Sequence, residues 1–240
     1  MTEASLRVFA NAEELARAAA DLTLANAREA IVARGSFHLA LAGGSTPRAT
    51  YAELARRGPD ASFDRWHAWF GDERCVPPDD ADSNHRLAAA SGLLARLSPT
   101  QVHRLRGEAP ERQREAERYE RELVTELGLP PRLDLVLLGL GADGHTASLF
   151  PGTPALEAGG WVTVGRSSTP PHDRLTLTLS TLSEARHVLF LVAGKDKAPA
   201  LARVLGAGDA GDSPAYRVRP RSGTLLWFAE RSAISGPGRP

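Results

Sequence analysis

The chain has 240 residues, of which 42% are hydrophobic, so it is long enough to bury a core of its own. Its 29 basic and 29 acidic residues balance, which excludes the global positive field that attracts nucleic acid or an anionic membrane. A single cysteine, Cys75, excludes an internal disulfide framework and a zinc site built from cysteines.

The N-terminal segment MTEASLRVFA lacks the basic and apolar regions of a signal peptide. No apolar run approaches the ~20 residues of a membrane span. We therefore expect a cytoplasmic protein with no membrane partner and no nucleic-acid partner. We also expect one domain over residues 1–240, in which the Pro- and Gly-rich residues 235–240 form a loose tail.

Strand and helix patterns alternate along the chain. Residues 6–9 predict a short strand, and Asn11 then begins a long helix in which Glu14 completes a capping box and which ends near Gly35. Further strands are predicted at residues 37–42, 66–70, 133–138 and 188–192, and helices at residues 47–57, 83–97, 111–127 and 198–205. This order predicts an α/β fold with a mostly parallel sheet covered by helices on both faces. Strand-like pieces at residues 161–166, 175–179 and 224–228 are expected to extend its edges.

The first polar loop after a strand is AGGSTP, residues 42–47. Its glycines let the backbone approach a ligand, Ser45 and Thr46 offer hydroxyls, and Pro47 suits the first position of a helix. Free N–H groups and the helix dipole favour a phosphate there. The alternative is a glycine turn with a threonine cap, and the loop alone leaves both interpretations open. It is not a Walker A loop, because the Gly-Lys-Ser/Thr ending is missing.

The second loop reads GDERCVPPDDADSNHR, residues 71–86. Asp72, Glu73 and Arg74 follow the strand directly, and the Arg74 guanidinium is suited to holding an oxyanion or a phosphate. These charges can equally be solvated or paired with one another, which we favour for Glu73. Either Asp82 or Ser83 is as good a helix cap as a ligand contact. Cys75 is expected to be a small filler rather than a nucleophile.

The third loop lies in LDLVLLGLGADGHTASLFP, residues 133–151, where Gly139, Gly141 and Gly144 match the dinucleotide-binding pattern. That pattern requires a helix after the last glycine, yet Pro151 follows almost at once and limits any helix to two turns. Arg166 stands near the position that would suit a 2′-phosphate, so NADP binding stays a minor alternative.

Asp143 and His145 form the most informative pair of the chain. A carboxylate beside an imidazole fixes the tautomer of the ring, which suits a general base acting on water, although the pair can also cap a turn. No Gly-x-Ser-x-Gly elbow and no second histidine at ligand spacing are present, so we expect neither a serine hydrolase triad nor zinc. Four other histidines are expected to be structural, namely His38, His67, His103 and His187, and the role of His172 is unassigned.

Lysine is rare in this chain. The only lysines are Lys195 and Lys197, and arginine supplies the other cations. A lysine kept in such a sequence suggests a need for a compact point charge, with chance as the alternative.

Taken together, GGSTP, GDERCVP followed by SNH, and GLGADGHTASLFPGTPAL resemble the 6-phosphogluconolactonase family, in the same order, over residues 37–228. The resemblance implies a Rossmann-like fold shared with glucosamine-6-phosphate deaminases. It implies hydrolysis of 6-phospho-D-glucono-1,5-lactone to 6-phosphogluconate, the second step of the oxidative pentose phosphate pathway, without a metal or another cofactor. Because such a fold closes its core alone, we expect a monomer or a weak homo-oligomer.

The resemblance also assigns roles by position. His145 would activate water, Asp143 would orient it, and Arg74 would hold the developing oxyanion or a sugar oxygen. The 6-phosphate would be bound by Gly44, Ser45 and Thr46, and, from positions in the related deaminases, by Arg174 and Lys197. Asp72 matches a proton-transferring carboxylate of those deaminases, which implies a secondary role here.

The deaminases are the main competing interpretation. They carry a glutamate after Asp-Gly-His where this chain has Phe150, and an aromatic residue where it has Arg74. Both differences favour a lactonase, since lactone hydrolysis needs only activated water and support for an oxyanion. A sugar-phosphate sensor of the same fold is disfavoured, because no DNA-binding segment fits before Leu6.

Overall fold

The computed structural model describes residues 4–58, 61–206 and 212–234, so the expected tail at 235–240 lies outside the described residues. The main sheet within these residues has six parallel strands in the order β1-β9-β8-β5-β2-β3. They are β1 (Ala4–Phe9), β2 (Phe37–Leu41), β3 (Trp66–Phe70), β5 (Leu135–Leu138), β8 (His187–Val192) and β9 (Thr224–Glu230). Every residue of β2 and β5 is buried, so both faces of the central strands are covered. The predicted α/β fold is confirmed.

The order of the strands creates a crevice at one place. The chain passes from β2 to β3 at one edge and then returns over β2 to form β5 on the opposite side. Loops that leave the carboxyl ends of β2 and β5 therefore diverge, and ligands of open α/β sheets bind at such a switch point. The predicted loops at residues 42–47 and 139–145 are the loops that follow these two strands.

The remaining strands form a second sheet that the sequence did not predict. Short antiparallel pairings join β4 (Asp72–Arg74), β7 (Asp173–Leu177) and β6 (Val162–Arg166) in the order β4-β7-β6. The expectation that residues 161–166 and 175–179 extend the edges of the main sheet is therefore wrong. The expectation for residues 224–228 is wrong too, because β9 pairs with β1 on one side and with β8 on the other.

The five predicted helices are present in order, one of them shortened, and the short helices α5, α7 and α8 were not predicted. They are α1 (Ala12–Arg34), α2 (Ser45–Ala55), α3 (Asn84–Ala90), α4 (Arg112–Leu127), α5 (Leu179–Glu184), α6 (Ala198–Leu205), α7 (Pro214–Arg217) and α8 (Arg231–Ile234). The helix predicted over residues 83–97 ends at Ala90, because Ser91 bonds back to the Ala88 carbonyl and Gly92 takes a positive φ of 85°. A separate 3-10 turn, Leu94–Arg96, covers part of the rest.

Both ends of α1 lie where the sequence predicted them, next to Asn11 and Gly35. The Asn11 side chain accepts from the backbone N–H of Glu14 at 2.9 Å, and the Glu14 carboxylate accepts from the N–H of Ala10 at 3.1 Å. Gly35 ends the helix with φ 85°, which a residue without Cβ adopts at no steric cost. No helix in the part of the chain that the structure describes has both the length and the apolar character needed to cross a bilayer.

Two buried tyrosines fix the strand ends that carry the polar loops. The Tyr51 hydroxyl of α2 accepts from the N–H of Ala42 and donates to its carbonyl, both at 2.8 Å. The Tyr119 hydroxyl of α4 accepts from the N–H of Phe70 at 2.8 Å. Burial raises the pKa of both phenols far above the ordinary value, so both stay neutral donors and acceptors. The loops after β2 and β3 therefore start from rigid points.

Candidate active site

A cleft of about 270 Å³ opens at the switch point between β2 and β5. It is lined by residues 42–47 after β2, by Asp72 and Arg74, and by residues 139–141 with His145 and Ala147 after β5. Residues 191–193 at the end of β8, together with Lys197, complete the lining. Seven of the nine residues that the sequence singled out for the site, all except Asp143 and Arg174, are among these lining residues. The end of β8 is a wall that sequence reasoning did not assign, although β8 lies beside β5.

The loop after β2 presents the N-terminus of α2 to the cleft. Gly44 caps the helix with φ 106°, a conformation that favours glycine, and no side chain caps the first turn. The sequence predicted Pro47 as the first residue of this helix. The helix begins at Ser45, so Pro47 is its third residue. No acidic residue lies in the first turn. This arrangement of backbone N–H groups and hydroxyls is suited to a phosphate.

The loop after β5 is a tight turn and not the start of a nucleotide-binding helix. The N–H of Gly141 donates to the His145 carbonyl at 2.9 Å, and the N–H of Gly144 donates to the Gly141 carbonyl at 3.0 Å. After this turn the chain makes a bridge between Thr146 and Leu149. A Cβ on Gly141 would lie 2.0 Å from Nδ1 of His145, so this glycine makes room for the imidazole. These contacts leave no basis for the NADP alternative.

His145 and Asp143 form a hydrogen-bonded pair. Nδ1 of His145 lies 2.6 Å from Oδ1 of Asp143, and the same oxygen accepts from the His145 N–H at 3.1 Å. Partial burial acts to raise the pKa of Asp143, but the hydrogen bonds and charge of His145 outweigh it and hold this pKa below its usual range. An ionised Asp143 fixes the proton on Nδ1, which leaves the lone pair of Nε2 available. The pair can therefore orient a general base at the cleft.

Contacts from distant segments hold this turn in place. The hydroxyl of Ser213 and the N–H of Ala215 donate to the Gly144 carbonyl at 3.0 and 3.1 Å. Arg203 donates to the Ala142 carbonyl at 3.1 Å. Sequence reasoning missed these residues, because no local motif marks a contact made from more than sixty positions away.

Asp72 is a buried carboxylate at the corner between β3 and β4, with 7% of its surface exposed. Its Oδ2 accepts from the Ser148 hydroxyl at 2.6 Å, and its Oδ1 accepts from the side-chain amide of Asn84 at 3.1 Å. Both partners come from other segments of the chain. The carboxylate is thus held firmly where it lines the cleft.

Arg74 and Glu73 are neighbours in β4, but only Arg74 lines the cleft. The Arg74 guanidinium lines the cleft and donates to the Asp82 carbonyl. The Glu73 carboxylate is buried and accepts from the N–H groups of Asn84 at 2.7 Å and His85 at 2.8 Å, at the start of α3. Burial raises the pKa of Glu73, with these N–H groups opposing. Our expectation of a solvated or ion-paired Glu73 is therefore wrong. Ser83 caps α3 by accepting from the N–H of Arg86.

Of the two lysines, the structure places Lys197 at the cleft and Lys195 outside its lining. Nζ of Lys197 lies 3.1 Å from Asp196, in the turn between β8 and α6. Arg174 does not line the cleft either, since its guanidinium donates to the carbonyls of Pro171 and Asp173. Arg174 pairs in register with Arg74 across β4 and β7, and burial together with the Arg74 charge lowers its pKa.

The other polar residues considered from the sequence lie outside the cleft lining. Burial raises the pKa of Cys75 to about 11, which keeps the thiol protonated and suits a filler. His172 contacts the Ser167 carbonyl through Nδ1 at 3.0 Å. Among the described residues, no three His, Cys, Asp or Glu side chains are grouped so that they could hold a metal ion.

Comparison with known proteins identifies the family. Residues 10–227 match the family described as glucosamine-6-phosphate isomerases/6-phosphogluconolactonase. A 6-phosphogluconolactonase from Synechocystis is 41% identical over 212 residues, which cover 85% of this chain and 86% of the relative. The chain belongs to this family of sugar-phosphate enzymes.

Solved structures from both branches of the family share the fold. The 6-phosphogluconolactonase from Trypanosoma brucei superposes with a TM-score of 0.86 at 29% identity, covering 97% of this chain and 98% of that one. A monomeric glucosamine-6-phosphate deaminase superposes with a TM-score of 0.79 at 26% identity, covering 95% and 98%. The fold alone therefore does not separate the two activities. Any distinction between them has to come from the side chains of the cleft.

Proposed function

We propose that this chain hydrolyses 6-phospho-D-glucono-1,5-lactone to 6-phospho-D-gluconate, the second step of the oxidative pentose phosphate pathway. The observation that carries the proposal is the fixed pair at the cleft: Asp143 lies 2.6 Å from Nδ1 of His145, which leaves Nε2 as the available base. The names of similar proteins, such as the Synechocystis relative, support the same reaction.

The proposed reaction begins with a water molecule on Nε2 of His145. His145 takes a proton as the water oxygen attacks the lactone carbonyl, and the negative charge that develops on the carbonyl oxygen is stabilised by Arg74. The tetrahedral intermediate then expels the ring oxygen, and His145 returns the proton to it. The products are a hydroxyl group and a carboxylic acid, so atoms and charges balance. Histidine and arginine supply both functions that the step needs, and the mechanism uses no metal or other cofactor.

The substrate phosphate is placed at the N-terminus of α2. Its donors are the backbone and hydroxyl groups of Gly44, Ser45 and Thr46, and Lys197, which follows β8 and lines the same cleft, adds a compact positive charge. Arg174 remains a proposed phosphate contact from the family resemblance. To reach the cleft, its guanidinium would have to leave the carbonyls of Pro171 and Asp173.

Phe150 favours lactone hydrolysis over deamination. Its ring packs on the His145 imidazole with 4.6 Å between centroids, at the position where the resemblance places a glutamate in deaminases. An apolar ring cannot relay a proton to open a sugar ring. It does shield one face of the base without interfering with an attack by water.

We further propose that the chain acts as one domain over residues 1–240 and as a monomer or weak homo-oligomer in the cytoplasm. The support for one domain is that buried apolar residues of both sheets, such as Leu137 and Leu175, belong to one hydrophobic cluster. Gel filtration with light scattering tests the oligomeric part.

The activity is tested with lactone generated in the cuvette by oxidation of glucose 6-phosphate. Formation of 6-phosphogluconate is followed by a coupled dehydrogenase and compared with spontaneous hydrolysis. The purified protein should accelerate it, a chelator should leave the rate unchanged, and His145→Ala should lower kcat by ~10²-fold or more with a small change in KM. Ammonia release from glucosamine 6-phosphate, with no acceleration of lactone hydrolysis, would assign the deaminase activity instead.

A further inference from the structure

Asp72 joins three separate segments of the chain through one carboxylate. Its Oδ2 accepts from Ser148, which follows His145 by three positions, and its Oδ1 accepts from Asn84 at the start of α3. The same Asn84 amide also donates to the Asp72 carbonyl at 2.9 Å. Ser148 and Asn84 are both nearly fully buried, so water does not replace these bonds easily.

The backbone beside Ser148 is in a conformation that alanine adopts reluctantly. Ala147 has φ 48°, in the left-handed region, and lies between His145 and Ser148 where it lines the cleft. The chain is held on both sides of it. Thr146 donates from its hydroxyl to the Gly139 carbonyl at 2.8 Å, and Ser148 donates from its hydroxyl to Asp72. The Ser148–Asp72 bond therefore offsets strain that would otherwise relax and shift His145.

The same bonds argue against Asp72 as a carrier of protons. Both carboxylate oxygens already accept a hydrogen bond, one from Ser148 and one from Asn84, so uptake of a proton by Asp72 would require the Ser148 hydroxyl to reverse its bond. These contacts suit the Asp72 side chain to holding Ser148 and Asn84 in place.

We propose that Asp72 and Ser148 are positioning residues, which hold residues 139–148, the His145 loop, in its strained conformation. This inference rests on the proposed function, since lactone hydrolysis is its readout. It makes kcat, and not KM, the quantity that depends on the Asp72–Ser148 bond, because the phosphate site lies on α2 at another wall of the cleft.

The two roles of Asp72 are separated by comparing Asp72→Asn with Asp72→Ala. An asparagine cannot carry the proton, but its amide can donate to the Ser148 oxygen while its carbonyl accepts from Asn84, so the connection survives. Positioning predicts that Asp72→Asn keeps kcat within ~10-fold of the wild type while Asp72→Ala loses ~10²-fold. Equal, large losses in both variants would overturn the proposal and assign proton transfer to Asp72.

The strain is tested with Ser148→Ala and with Ser148→Ala combined with Ala147→Gly. Ser148→Ala should lower kcat by ~30-fold with KM within ~3-fold, and the added glycine should recover at least ~5-fold, because glycine adopts positive φ freely. Ser167→Ala is the matched control, since its buried hydroxyl bonds Thr169 in a loop outside the cleft lining and should leave kcat unchanged. Thermal unfolding of each variant identifies any that fails to fold.

The outcomes distinguish the two levels of inference. A wild-type protein that does not hydrolyse the lactone removes the proposed function. A wild-type protein that is active, with Ser148→Ala equally active or with no recovery by Ala147→Gly, overturns the positioning role alone.

Discussion

The His145 imidazole packs on the ring of Phe150, with 4.6 Å between centroids and 42° between the planes. Asp143 holds the edge of the same imidazole at Nδ1. A ring fixed by a hydrogen bond at its edge and by packing at its face has little freedom to rotate away from a substrate. The rate enhancement that a general base provides depends strongly on its precise placement, because small displacements of a reacting group lower the rate by large factors.

Phe150→Ala should therefore lower kcat for lactone hydrolysis by ~10-fold and leave KM within ~3-fold, since the ring supports the base and does not line the phosphate site. The measurement is steady-state kinetics in the coupled assay. Phe150→Leu is the control, because a branched apolar side chain still covers the imidazole. Full kcat in the alanine variant would show that Asp143 alone is sufficient to hold the ring.

Gly141→Ala probes the other side of the imidazole. A Cβ at this position would lie 2.0 Å from Nδ1 of His145 and 2.6 Å from Oδ1 of Asp143, so the pair has to separate or move. We expect kcat to fall by ~30-fold or more in the coupled assay while the fold is retained in circular dichroism. Gly159→Ala is the matched control, because its added Cβ meets no atom within 4 Å. Wild-type kcat for Gly141→Ala would contradict the described packing.

The main sheet was predictable because its chemistry is local. Buried parallel strands appear as short apolar runs, and Trp66–Phe70 has the bounds that the sequence predicted. The carboxyl ends of β2 and β5 lie at the same edge of a parallel sheet, so the presence of Ser45 and His145 in one cleft follows from the strand order.

The supports of the site were not predictable, because they are made across long separations. Asp72–Arg74 is a strand only because β7 pairs with it. Its three residues are all charged and show no strand pattern. The hydrogen bond between Ser148 and Asp72 joins residues 76 positions apart, and no local sequence pattern around either residue predicts it. Sequence reasoning found the groups suited to chemistry and missed the groups that hold them.

Lys197→Ala should weaken substrate binding with little effect on the chemical step. Lys197 lines the same cleft as the uncapped N-terminus of α2, and we expect its ammonium to bind the phosphate rather than the lactone carbonyl. We expect KM to rise by ~10-fold and kcat to stay within ~3-fold, measured over a range of lactone concentrations. Lys195→Ala is the control, since Lys195 is exposed and outside the cleft lining. Equal effects of the two variants would mean that a general positive field, and not a placed charge, serves the phosphate.

His38 links the stability of the protein to pH at the opposite end of the sheet. Burial, followed by the charges of His67, His103 and Arg34, lowers the pKa of His38 from 6.5 to about 3. Trp69 donates its indole N–H to Nδ1 of His38 at 3.1 Å, and because the indole can only donate, that nitrogen has to be unprotonated. The folded protein therefore holds His38 neutral.

The unfolded chain binds a proton at His38 below pH 6.5, whereas the folded protein binds it only near pH 3. Between these values the unfolded state takes up more protons, so the free energy of unfolding falls as the pH falls. The contribution of His38 to this loss at pH 5 is about 2 kcal/mol relative to neutral pH. His38→Asn keeps an acceptor for Trp69 and removes the titration, so this variant should lose about 2 kcal/mol less over the same interval.

Urea unfolding at pH 7.5 and pH 5 measures the difference directly. Ser36→Ala is the control, because it removes the hydroxyl 3.0 Å from Nε2 of His38 but leaves the titrating ring, and it should follow the wild type. If His38→Asn lost as much free energy as the wild type between the two pH values, the acid sensitivity would arise from other groups.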